Sequence, residues 1–127
     1  MRLSGIGGAL LALALPFVGS GVAGACPDTT LTLTVAVPEG DAESVQLTCE
    51  PAGGTHPNAI SACEELLAAH GDFDGLPGDD EQTACTMVYQ PVIAVAEGTW
   101  RGEPVAWESE YGNSCALRTA TGTVFLF

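Results

Sequence analysis

The sequence predicts an α+β domain in which an antiparallel sheet is covered on one face by a helix. Three observations carry that expectation. "LTLTVAV" at residues 31–37 places Leu31, Leu33, Val35 and Val37 at every second position, the period of a half-buried strand. From Asn58 the period lengthens to that of a helix, with Ile60, Cys63, Leu66 and Leu67 on one face. Five cysteines in a chain of 127 residues, behind an apolar leader, point to an exported domain stapled by disulfides.

The leader comes first. Arg2 is its lone positive charge, Ile6 to Val18 is a mostly apolar run, and "AGA" at Ala23–Ala25 fits a small-residue cleavage site. The run falls short of the roughly 20 apolar residues that a bilayer-spanning helix needs. Residues 1–25 are therefore expected to be a signal peptide, which leaves a domain at 26–127 of 127 − 25 = 102 residues. A chain of that length forms one domain with a modest core, and it gains from disulfides. "VAGAC" resembles a bacterial lipoprotein signal, in which Cys26 is lipidated and becomes the new N-terminus, although Ala23 stands where leucine is usual. Two fates are open for Cys26: a lipid anchor at the cell surface, or an ordinary residue of a secreted protein.

The first strand is closed by "PEGDAE" at 38–43, after which Val45, Leu47 and Cys49 continue the alternation in a second, antiparallel strand. For the helix, Asn58 is expected as the N-cap and Gly71, after His70, as the stop, with Glu64 and Glu65 outside the apolar face. Cys63 then projects within reach of the strand carrying Cys49. "GDFDGLPGDDEQ" at 71–82 is loop by composition. "VIAVAEGTWRGEPVAWESEY" at 92–111 reads as two strands joined through Gly102 and Pro104. In the second, Val105, Trp107 and Tyr111 alternate with Ala106, Glu108 and Glu110. "TVFLF" at 123–127 reads as a short apolar final strand.

Cys49, Cys63, Cys85 and Cys115 can form two bridges in three connectivities. The short spacing of Cys49 and Cys63 makes a local bridge easy to close, which leaves Cys85 for Cys115.

All 16 acidic residues follow the leader and face only Arg101 and Arg118, a balance of 2 − 16 = −14 with no lysine. Such a surface neutralises neither nucleic-acid phosphates nor an anionic membrane. No nucleic-acid partner is expected, and membrane contact only through a lipid on Cys26.

Enzymatic machinery is not visible. His56 and His70 are the only histidines. The first reads as a turn residue in "GGTHP", the second as a favourable charge at the helix C-terminus. The cysteines are committed to bridges or lipid, so no nucleophile–base pair is left. No G-x-S-x-G, H-E-x-x-H or paired C-x-x-C occurs. Asp72, Asp74, Asp79, Asp80 and Glu81 lack the spacing of a calcium loop. No enzyme, cofactor or metal is expected.

The remaining feature is "CTMVYQPV" at 85–92. Met-Val-Tyr suits a core strand, but Pro91 removes a ladder donor and suits an edge or an exposed bend. Here the sequence resembles the Streptomyces subtilisin inhibitor family of secreted serine-protease inhibitors, from about Leu31 to Phe127. The signals are "LTC", "GTHP", "C-x-M-V-Y-x-P-V", "G-x-W-x-G", "N-x-C" and "VF-x-F", specific through their order and spacing.

The resemblance implies a five-stranded antiparallel sheet with one main helix and a second short helix. It implies the bridges Cys49–Cys63 and Cys85–Cys115 and a homodimer formed through the sheet. It also implies a reversible, substrate-like inhibitor of subtilisin-type serine endopeptidases, with Met87–Val88 as the reactive-site bond. Met87 is then the P1 residue, unbranched and adaptable enough to fill an apolar S1 pocket. Ala84, Cys85, Thr86, Tyr89 and Gln90 would touch the protease, with Asn113 and Pro91 supporting the loop. Three positions depart from the family: Thr86 at P2, where proline is frequent; the small Ala84 at P4; and Gln90, where close relatives carry an acid. These bear on the choice of target and the strength of inhibition. The rival reading keeps the fold without inhibition, as a surface-anchored lipoprotein that binds or builds through another surface.

Overall fold

The computed structural model describes residues 28–78 and 84–127. The expected leader, Cys26, and the acids Asp79, Asp80 and Glu81 lie outside the described residues. Strands β1 (Thr29–Ala36) and β2 (Ala42–Cys49) form a hairpin in which Leu31 faces Leu47 and Leu33 faces Val45. β3 is two residues, Gly53–Gly54, on the outer edge of β2. β4 (Val92–Trp100) and β5 (Glu103–Tyr111) form a second hairpin, and β4 pairs antiparallel with β1. The order across the five-stranded sheet is β3-β2-β1-β4-β5.

The alternation does what a period of two requires. Leu31, Leu33, Leu47, Ala94 and Ala96 are buried on one face and share one core with Ala62, Cys63 and Leu66 of helix α1 (Ala59–Ala68), which lies over the β2–β3 side of the sheet. Each large side chain so buried contributes about 1.5–3 kcal/mol. The opposite face carries Thr30, Thr32, Thr34, Ser44 and Gln46, tied across strands by Thr32 to Gln46 and by Thr34 to Ser44 at 2.7 Å. Helix α2 (Ser114–Thr121) follows β5 and brings Leu117 and Thr121 into the interior.

Several expectations are corrected. Ile60 and Leu67 are 69% and 38% exposed rather than inward. The inward stripe runs through residues 59, 62, 63 and 66, so 60 and 67 fall on the far flank of Cys63. The bridge to Cys49 fixes this rotation. Glu65 is half-buried, not external. Its carboxylate accepts from Thr123 N–H and Oγ1–H, both at 2.8 Å, and ties α1 to the C-terminal segment.

The helix ends in a Schellman arrangement: Gly71 N–H donates to Leu66 O at 2.9 Å and His70 N–H to Leu67 O at 3.1 Å. The first left-handed residue is His70 (φ 55°), with Gly71 following (φ 78°). Gly71 is needed for space as well, because a Cβ there would lie 2.3 Å from the Trp100 ring. Asn58 stands at the N-cap position but makes no side-chain cap; its amide donates to Leu126 O at 3.5 Å.

"TVFLF" is not a strand. It folds in turns after α2, and Val124 and Phe125 are buried beneath the sheet, which leaves Gly53–Gly54 as the fifth strand. His56, expected as a turn residue, is not part of a turn. It is buried, its Nδ1 accepts from Asn58 N–H at 2.9 Å, and its Nε2 therefore donates to Val124 O at 2.8 Å. Asp72 accepts from Asp74 N–H at 2.9 Å, and Asp74 accepts from Trp107 Nε1–H at 3.0 Å. These two acids shape a loop.

Candidate functional site

Residues 84–91 have no regular structure, yet they are held at three points. Cys85 is bonded to Cys115 in the first turn of α2, with 5.6 Å between the Cα atoms. Gln90 N–H donates to Gly112 O at 2.8 Å, which prolongs the β4–β5 ladder past Val92. Pro91, half-buried between Gln90 and β4, has no N–H to satisfy, so the ladder loses nothing there.

The third point is Asn113, which does two jobs. Its Oδ1 accepts from Ala116 N–H at 2.8 Å, capping α2, an acceptor role that N-caps supply. With Oδ1 so committed, its Nδ2 donates to Thr86 O at 3.2 Å and Val88 O at 2.9 Å. Those two carbonyls flank Met87. The helix cap and the loop brace are thus one side chain, and α2 is the platform on which the loop is built.

Between the braces the side chains face outward. Met87 is 96% exposed, Val88 53% and Tyr89 71%. Ala84, Thr86 and Gln90 are exposed, and Cys85 is half-buried. Three consecutive large apolar residues in the open would carry an unfavourable hydration term in a domain with no partner. Nothing in the core needs them: the interior is filled by the β1, β2, β4 and α1 residues and the C-terminal segment. Pro91 itself is half-buried and stands just before β4, outside the regular strand, while residues 86–90 ahead of it are exposed. All the residues anticipated for the loop, including Asn113, are brought together, whereas Cys49 and Cys63 lie apart, in the core.

Residue patterning alone missed α2, whose "SCALRTAT" has no long apolar stripe, and missed the bond from Gln90 to Gly112. The one available clue was Asn113 itself, a strong N-cap type set just before Ser-Cys-Ala.

Comparison with known proteins decides the lineage. The family model described as "Subtilisin inhibitor-like" matches residues 27–113. The chain belongs to the subtilisin inhibitor-like family. It is a family of protease inhibitors, not of enzymes. Subtilisin inhibitor-like protein 5 of Streptomyces fradiae is 48% identical over 85 residues, which are 66% of this chain and 78% of the relative. Protease inhibitor SIL-V1/SIL-V4 of Streptomyces netropsis is 41% identical over 105 residues, 78% of this chain and 96% of the relative. Among solved structures, Streptomyces caespitosus sermetstatin, in complex with Bacillus licheniformis subtilisin, superposes with a TM-score of 0.62 at 28% identity. That match covers 77% of this chain and 97% of sermetstatin. The motifs singled out in the sequence therefore marked the family correctly, and the five-stranded sheet, two helices and both disulfides agree with it.

Proposed function

We propose that the protein is a secreted, reversible, substrate-like inhibitor of subtilisin-type serine endopeptidases, offering Met87–Val88 as the reactive-site bond. The observation that carries this reading is Met87, 96% exposed at the centre of a segment whose flanking carbonyls are both held by Asn113. The relative bound to subtilisin supports the partner class.

The mechanism follows from the bracing. Met87 enters the apolar S1 pocket, with Ala84, Cys85 and Thr86 on one side and Val88, Tyr89 and Gln90 on the other. The loop is ordered before binding, so association loses less conformational freedom, and interfaces of standard size then reach high affinity. When the enzyme serine attacks the Met87 carbonyl, the new Val88 amine does not leave. Val88 O stays on Asn113, Gln90 N–H on Gly112 O, and Cys85 on Cys115. The amine remains beside the acyl group at high effective concentration, and resealing outruns hydrolysis.

Export belongs to the proposal: two disulfides persist in an oxidising compartment, and the leader at 1–25 supplies the route. A homodimer through the sheet belongs to it too. The uncovered face of Thr32, Thr34, Ser44 and Val95 supports it, and the sedimentation mass of the protein tests it.

Titration of subtilisin with the protein tests the function. Activity is expected to fall to zero at one equivalent per active site and to recover slowly on dilution. Full activity at large excess of folded protein would refute the reading. Met87→Lys is expected to transfer inhibition to trypsin-like enzymes, which hold an acid in S1.

A further inference from the structure

The chain has two methionines, Met1 and Met87. If the leader is removed, Met87 is the protein's sole thioether, and it is 96% exposed. The cysteines at 49, 63, 85 and 115 are in disulfides, so none of them offers a thiol to an oxidant. We propose that Met87 is a reversible oxidation site: peroxide-class oxidants convert it to the sulfoxide, and this switches inhibition off without unfolding the domain. The proposal rests on the reading of Met87 as the residue that enters S1.

The chemistry is a two-electron oxygen transfer. The Met87 sulfur lone pair attacks one oxygen of hydrogen peroxide, the O–O bond breaks and an S–O bond forms. The departing hydroxide takes the proton from the transferred oxygen and leaves as water. Sulfur is oxidised and peroxide reduced. A sulfoxide reductase reverses the step by oxidising two thiols to a disulfide and releasing water. Both directions require access to the sulfur, which the exposure provides.

The fold has no stake in that side chain. The braces act on the Thr86 and Val88 carbonyls and on the Cys85–Cys115 bond, so the loop keeps its shape when Met87 becomes polar. Binding does have a stake. The sulfoxide oxygen is a hydrogen-bond acceptor, and an apolar S1 pocket has no donor for it. Burying an unsatisfied polar group there is expected to weaken inhibition roughly 10- to 100-fold.

The experiment treats the purified protein with hydrogen peroxide and locates the added oxygen, about 16 Da, by peptide mass mapping. Mapping separates Met87 from Cys26, the cysteine outside both bridges. The inhibition constant for subtilisin is measured before oxidation, after it, and after treatment with methionine sulfoxide reductase. Met87→Leu, which has no thioether, and Met87→Asp are measured alongside. The expected result is oxidation at Met87, a 10- to 100-fold weaker constant, restoration by the reductase, and no peroxide response in Met87→Leu at whatever affinity it starts from. Stoichiometric sulfoxide at Met87 with an unchanged constant would overturn the proposal, as would a loss that appears equally in Met87→Leu. If Met87→Asp abolishes inhibition while the sulfoxide does not, the oxidation site alone fails. If neither change matters, the reading of Met87 as the S1 residue fails first.

Discussion

Cys49–Cys63 and Cys85–Cys115 span nearly the same distance, 5.7 and 5.6 Å between Cα atoms, in opposite surroundings. The first lies inside the core, where Cys49 is fully buried and Cys63 nearly so, and it sets the rotation of α1 over the sheet. The second lies half-exposed at the surface and joins the loop to α2, beside Asn113. One bridge is surrounded by core contacts that it reinforces. The other replaces contacts that an exposed loop does not have. The same covalent bond therefore serves stability in one place and pre-organisation in the other, according to its neighbours.

The sharpest separation is at Met87. Met87→Asp places a carboxylate in an apolar pocket, and an uncompensated buried charge costs about 3–5 kcal/mol, roughly 10²- to 10⁴-fold in the inhibition constant. The same substitution is expected to leave the unfolding midpoint almost unmoved, since the side chain is 96% exposed. Enzyme titration together with thermal unfolding checks both halves. A destabilised Met87→Asp would mean that the loop is part of the core after all.

The bridges themselves come next. Cys49→Ala/Cys63→Ala is expected to lower stability by about 3–5 kcal/mol while the folded fraction still inhibits. Cys85→Ala/Cys115→Ala opens the longer loop, a sequence separation of 30 against 14, and returns comparable or slightly more entropy to the unfolded chain, so it too costs about 3–5 kcal/mol. Its distinguishing effect is on function: inhibition becomes transient as Met87–Val88 is hydrolysed. Denaturant unfolding and the time course of protease inhibition read the two. Lasting inhibition without the Cys85–Cys115 bond would erase the contrast.

Asn113 permits a finer cut, because one amide serves both regions. Asn113→Asp keeps the acceptor that caps α2 and loses the donor to the Thr86 and Val88 carbonyls. Inhibition is expected to weaken by roughly tenfold or more, with stability nearly held. Asn113→Ala loses both roles and costs about 1 kcal/mol of stability in addition. Inhibition constants and unfolding midpoints of the two variants, side by side, separate brace from cap.

The smallest effect is at the far end of the sheet, where β4 ends nine residues from the loop, roughly 30 Å away. Arg101 donates to Glu50 through Nε at 2.7 Å and Nη2 at 2.9 Å. The hydrogen bond from Arg101 holds the Glu50 carboxyl below the usual carboxylate range, opposed by a little desolvation. A depressed carboxyl stabilises the fold above its unfolded pKa, and that contribution is lost as pH falls through the folded value. Arg101→Gln is therefore expected to flatten the acid limb of the stability curve slightly and to leave neutral-pH inhibition unchanged. Unfolding midpoints across the acid range test this.

The loop was more legible in the sequence than parts of the scaffold. Cys85, Met87, Pro91 and Asn113 are chemically distinctive, and their order carries information that survives without geometry. The alternation of β1 and β2 was equally plain, because one face of each is buried. The misread parts lacked such a signal. Gly53–Gly54 has no side chains to alternate, and its pairing is set by β2. "TVFLF" is apolar because it fills the space under the sheet near His56, and an apolar run of five residues has no period to distinguish a strand from a buried turn. Ile60 and Leu67 look inward by type, but the Cys49–Cys63 bridge decides the rotation of α1, and that is a tertiary fact.

The most direct test of the account is to map the bond itself. The protein is incubated with a trace of subtilisin for days, and every new N-terminus is sequenced. The expected result is a single new terminus at Val88, in a molecule still joined through Cys85–Cys115, with intact chain re-formed when the cut species is returned to the enzyme. New termini elsewhere, or a cut at Val88 that never reseals, would contradict it.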